Sequence, residues 1–87
     1  MKLYRLVCCA PWTTDALAVF FGFFQENALN VHRLMMIEAF DDPTLSKLEV
    51  QFMLPDQEQE ANTQKLLEGV RNSLSVLPCR YLQLNAL

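Results

Sequence analysis

The stretch Leu3–Asp15, LYRLVCCAPWTTD, decides the reading of the fold. Tyr4, Leu6, Cys8 and Ala10 share one parity and carry no charge, while Arg5, Val7 and Cys9 share the other. In an extended chain such alternation puts the two sets on opposite sheet faces, so Leu3–Ala10 is predicted as a strand with the uncharged set inward. Cys8 is then expected in the core and Cys9 on the opposite face. Pro11 has no N–H to give to a ladder and ends the strand. Thr13 or Thr14 suits a helix N-cap, and Asp15 falls in the first turn, where a negative charge complements the helix dipole.

The helix started there is expected to run to about Asn27. Leu17, Phe20, Phe21, Phe24 and Ala28 recur at spacings of three and four and form its apolar stripe. Ala16, Val19 and Phe23 widen that stripe to an arc of roughly 200° at 100° per residue. One sheet face needs less, so Val19 and Phe23 are read as surplus area that meets a partner, or is covered by a loop or chain end.

Asn30–Phe40 is apolar with β-branched and aromatic residues and is predicted as a strand, broken by Asp41-Asp42-Pro43. Leu48–Leu54 alternates, with Leu48, Val50, Phe52 and Leu54 inward and Glu49, Gln51 and Met53 outward. A hairpin across a polar loop joins the two. Pro55 closes that strand and Asp56 is a candidate cap. A second helix is expected from about Gln57 or Glu60 to Val76, with Thr63, Leu66, Leu67, Val70, Leu74 and Leu77 on its apolar face. Pro78 stops it, and Cys79–Leu84 fits a last strand. The order β-α-β-β-α-β predicts an α+β, ferredoxin-like sandwich: four antiparallel strands with two helices on one face, and residues 1–87 as one domain.

Composition narrows the function classes. The 87 residues are 52% hydrophobic with a formal net charge of -3, which excludes disorder and gives no basic footprint for nucleic acid. Arg5 leaves the N-terminal apolar run too short for a signal peptide, and no run approaches a membrane span, so a cytoplasmic protein is expected. Cys8, Cys9 and Cys79 make no C-x-x-C pair, and with the single His32 they supply no zinc set. Neither a metal nor a cofactor is expected. Neighbouring strand residues face opposite ways, so Cys8 and Cys9 do not share one ligand. Cysteine as a small apolar residue is one reading; a reactive Cys9, upstream of a helix N-terminus and near Arg5, is the other. His32 has no triad partners in sequence, and Glu38, Asp41 and Asp42 read as a solvated turn. The loop Pro11–Asp15 runs into a helix N-terminus, whose free N–H groups attract anions, although Asp15 already occupies that field.

The whole pattern resembles an ACT domain, a regulatory module of amino-acid and one-carbon metabolism. The resemblance rests on the element order, the polar loop after the first strand, and ENALNVHRLMM (Glu26–Met36), where a helix end passes through Asn30-Val31 into a strand. FDDPTLSKLEVQF (Phe40–Phe52) is similar to the N-terminal ACT domain of formyltetrahydrofolate deformylases. LNVHRL (Leu29–Leu34) is similar to the small regulatory subunits of acetolactate synthase. The resemblance implies a non-catalytic regulatory domain that forms a homodimer or higher oligomer, or binds a partner enzyme, and senses a small-molecule effector such as an amino acid. It nominates Trp12, Thr13, Thr14, Asp15, Asn30 and His32 as ligand positions, beside Val19 and Phe23 as the oligomer surface. Asp15 stands where such domains usually carry a glycine that lets the effector reach the backbone. Two alternatives stay open: a structural oligomerisation module without a ligand, and a small enzyme using Cys9 or His32.

Overall fold

A computed structural model describes residues 2–54, 60–75 and 77–87. Six elements follow in the order β1 (Leu3–Ala10), α1 (Thr14–Glu26), β2 (Asn30–Ala39), β3 (Asp42–Met53), α2 (Glu60–Asn72) and β4 (Tyr81–Ala86). The four strands form one sheet in the order β2-β3-β1-β4, each neighbouring pair antiparallel. This is the α+β ferredoxin-like plan.

Tyr4, Leu6, Cys8 and Ala10 of β1 share one core with Phe20 and Phe24 of α1, Val70 of α2 and Leu74 of the turn after it, so both helices lie on the same sheet face. Leu48, Val50 and Phe52 of β3 complete that core. Aromatic rings run the length of the layer: Trp12 to Phe20 at 5.5 Å, Phe20 to Phe24 at 4.8 Å, Phe24 to Phe52 at 5.0 Å and Phe52 to Tyr4 at 6.0 Å. Each such pair adds about 0.5–1.5 kcal/mol beyond its area.

Several boundaries differ from the sequence reading. Helix α1 stops at Glu26, and Ala28 is not part of its stripe: it takes φ 55°, the left-handed position after a helix end. Leu29 N–H then donates to Phe24 O at 2.9 Å and Ala28 N–H to Gln25 O at 3.3 Å, the paired bonds of a Schellman stop. Leu29, only 6% exposed, takes the core place expected for Ala28. Strand β3 begins at Asp42 rather than Leu48. Ala39 pairs with Asp42 across the turn Phe40-Asp41, and the register shift before Glu38–Ser46 leaves Pro43–Leu45 as a bulge that needs no N–H from proline. Helix α2 ends at Asn72 instead of Val76, and turns 73–75 follow it. The last strand starts at Tyr81, so Cys79 lies before it. Asp56, the candidate cap, lies outside the described residues.

Phe23 is not surplus. It packs on the core, and a methyl group built on Gly69 of α2 would come within 2.5 Å of its Cζ. The bare glycine therefore makes room for the ring where the helices meet. Val19 does remain 59% exposed. The larger uncovered area is on β2. Val31, Leu34 and Met36 stand beside Phe52, Val50 and Leu48, all of which are fully buried. Their own exposures are 43%, 52% and 44%, because the helices cover the β1–β3 centre and stop short of this edge.

Cys9 points to the outer face, as expected, yet it is only 2% exposed, and Val7 beside it 5%. Glu49 and Gln83 flank Val7, and Lys47 and Tyr81 flank Cys9. Long side chains lying along the sheet cover these small residues without a second layer. Arg5 Nε lies 4.0 Å from Glu49 Oε1 on the same face.

Candidate functional site: the loop after β1

Pro11 ends β1, and Trp12 turns back, its N–H donating to Ala10 O at 2.9 Å and its indole Nε1 to Cys8 O at 3.3 Å. Half-buried on Phe20, the indole closes the end of the core. Thr13 is the N-cap: its Oγ1 accepts from Ala16 N–H at 3.1 Å. Thr14 and Asp15 occupy the exposed first turn.

A cleft of about 250 Å³ lies between this turn and the end of α2, lined by Thr13, Asp15, Ala16, Val19, Ser73 and Leu77. Its one charged group is the Asp15 carboxylate. The hydroxyls of Thr13 and Ser73 are already engaged, the latter donating to Val70 O at 2.7 Å. Ala16, Val19 and Leu77 make the remaining wall apolar. A negative group beside an apolar wall suits a ligand with an ammonium and a short hydrocarbon part better than a bare carboxylate.

The nominated ligand positions divide between two ends of the sheet. Thr13 and Asp15 line the cleft, with Trp12 and Thr14 next to them in the chain. Asn30 pairs with Met53, whose other neighbour is Leu3, the first residue of β1. Trp12 to Asp15 follow Ala10, the last residue of β1. Asn30 and His32 are therefore a strand length away, about 20 Å at 3.4 Å per residue, and do not join the loop within one chain. His32 is the extra residue of a bulge between Val31 and Arg33 and is exposed.

Cys8 and Cys9 face opposite ways, as expected, and the structure sets Cys8 against Cys79 instead: their Sγ atoms lie 3.3 Å apart. Burial pushes the Cys8 thiol well up, and the hydrogen bond and like charge of Cys79 add to this. Such a thiol stays protonated and is no nucleophile in the resting state. Cys79 Sγ faces Leu74 O at 3.9 Å. At the hairpin tip, the Arg80 guanidinium grips Asp41 through two bonds of 2.7 Å and holds its carboxyl below the usual 3.8. Thr44 lowers Asp42 in the same way, donating through N–H at 2.9 Å and Oγ1 at 2.6 Å. The first of these contacts was not visible in the sequence, where Arg80 and Asp41 stand 39 positions apart. Among the described residues, no three of His, Cys, Asp and Glu cluster to hold a metal, and no helix is long and apolar enough to cross a membrane.

The architecture is that of the ACT domain. An ACT domain protein from Streptococcus pneumoniae superposes with a TM-score of 0.60 at 10% identity, over 99% of this chain and 88% of that one. A formyltetrahydrofolate deformylase from Pseudomonas putida KT2440 gives 0.71 at 16% identity, over 98% of this chain and 29% of the deformylase. The regulatory subunit of aspartate kinase from Thermus thermophilus gives 0.65 at 13%, over 97% and 50%. The chain thus spans less than a third of that deformylase and half of the kinase subunit. No family model and no curated protein matches the sequence.

Proposed function

We propose that this chain is a non-catalytic regulatory domain of the ACT type that works as a pair and senses a small ammonium-bearing metabolite. The observation that carries the reading is the open β2 edge, with Val31, Leu34 and Met36 uncovered beside fully buried partners. An edge strand presents unpaired N–H and C=O groups, and here apolar side chains stand next to them. A second copy joined antiparallel along β2 satisfies both.

That pairing also answers the division of the ligand positions. Antiparallel strands reverse direction, so Asn30 and His32 of one copy come to the end of the joined sheet where the other copy carries Trp12–Asp15. The effector then acts by differential affinity, favouring one packing of the pair over another. An enzyme partner seated on the same edge is the competing occupant.

Sedimentation of the whole chain tests the pairing. A dimer is expected, and Leu34→Arg, at a half-exposed position, should give a folded monomer. A wild-type monomer at high concentration overturns the reading. The second reading, a structural module without an effector, is favoured by Asp15 standing where such domains usually carry glycine. Thermal-shift screening against amino acids and small amines separates the two: a shift lost in Asp15→Asn supports sensing, and a flat panel supports the structural module.

A further inference from the structure

We propose that Cys8 and Cys79 form a reversible intrachain disulfide, a modification site that links the central strand to the segment entering β4. Both are free thiols here, with Sγ atoms 3.3 Å apart. A disulfide needs about 2.05 Å, so the sulfurs must approach by roughly 1.3 Å, within reach of small side-chain rotations. The backbone is already held on both sides. Arg80 N–H donates to Cys9 O at 2.8 Å, Cys79 N–H donates to Leu77 O at 2.8 Å, and Cys9 pairs with Tyr81. Cys9 faces away on the outer side of the sheet, so it does not compete for either sulfur.

The two sulfurs have different roles. Cys79 is half-buried and meets solvent, whereas Cys8 is fully buried behind it. The oxidant is a small-molecule disulfide, R–S–S–R. The Cys79 thiolate attacks one of its sulfurs, forming Cys79–S–S–R and releasing the first R–S⁻, which takes up a proton. Cys8 then attacks the Cys79 Sγ and displaces the second R–S⁻, which takes up the Cys8 proton as it leaves. The protein loses two electrons and two protons, and R–S–S–R becomes two R–SH. Burial of Cys8 disfavours its thiolate and so slows this second step.

The bridge ties residues 71 positions apart. It joins β1, which leads into the cleft wall of Thr13–Val19, to the segment that supplies the other wall, Ser73 and Leu77. The inference stands whether or not the chain pairs.

Oxidised glutathione added to the reduced whole chain is the test, read by intact mass, peptide mapping and thermal melting. The expected result is a product of single-chain mass, lighter by two hydrogens, with Cys8 linked to Cys79 and a melting temperature raised by about 10 °C or more. Cys9→Ala should keep the product. Cys79→Ser, at a half-exposed position, should abolish it without unfolding the chain. Unreacted thiols, a stable glutathione adduct on Cys79, a Cys79–Cys79 link between copies, or a bridge to Cys9 would each overturn the proposal.

Discussion

The ring of Phe23 lies over the bare backbone of Gly69, filling the space where a side-chain methyl would stand. This contact sets how closely α1 and α2 approach. Gly69→Ala should therefore cost about 1–2 kcal/mol through overpacking, although alanine itself favours the helix by about 1 kcal/mol. In a Phe23→Ala background the same change should stabilise by about 1 kcal/mol. Urea denaturation of the four-member cycle measures the coupling, and additive effects would refute the contact.

Ala28 occupies a left-handed conformation that usually belongs to glycine. Its Cβ is strained there, and relief of that strain outweighs the added freedom of the unfolded chain. Ala28→Gly should raise stability by about 0.5–1 kcal/mol, whereas Ala28→Val should lower it. Denaturant midpoints decide between these signs and no effect.

The Asp41–Arg80 fork gives a pH signature. A carboxyl held below its ordinary 3.8 contributes stability that is complete above that value and is lost as pH falls through the lowered folded value. Carbon-13 titration should find Asp41 ionised below 3.8 in the wild type and shifted back up in Arg80→Gln. Unchanged titration would remove the fork from the solution structure.

Trp12 is the only tryptophan, and its indole N–H reaches Cys8 O. Trp12→Phe keeps an aromatic ring against Phe20 but loses that donor, so it should cost about 1 kcal/mol. Trp12→Ala should cost more. Calorimetry compares the two. The wild-type indole fluorescence should also change when Cys8 is oxidised, a change absent in Cys79→Ser.

What the sequence disclosed was local. Pro11, the Thr13 cap and the alternation of Tyr4, Leu6, Cys8 and Ala10 fix β1 and the start of α1, because each signal acts within a few residues. The start of β3 was hidden because the polar run Asp42–Ser46 looks like a loop until its pairing partner is known. The Phe23–Gly69 and Cys8–Cys79 contacts join elements far apart in the chain, and no periodicity reports them. The resemblance grouped Asn30 and Asp15 as parts of one site, and a resemblance carries no distance within this chain. Yet α1 carries the chain from one end of the sheet to the other, and so it separates them.

The ten-residue β2 and the six-residue β4 are the two rims of the same sheet. Two copies joined rim to like rim about a two-fold axis use up both β2 edges at once, and growth stops at two. Joined β2 to β4, each addition would expose a fresh β2 and the array would lengthen without limit. The unequal rims oppose that second geometry, since six residues cannot match ten and Gln83 and Asn85 bring polar side chains to the shorter one. In the proposed pair the unequal strand lengths thus favour closure at two, and lengthening β4 with apolar residues would put the chain at risk of forming fibres.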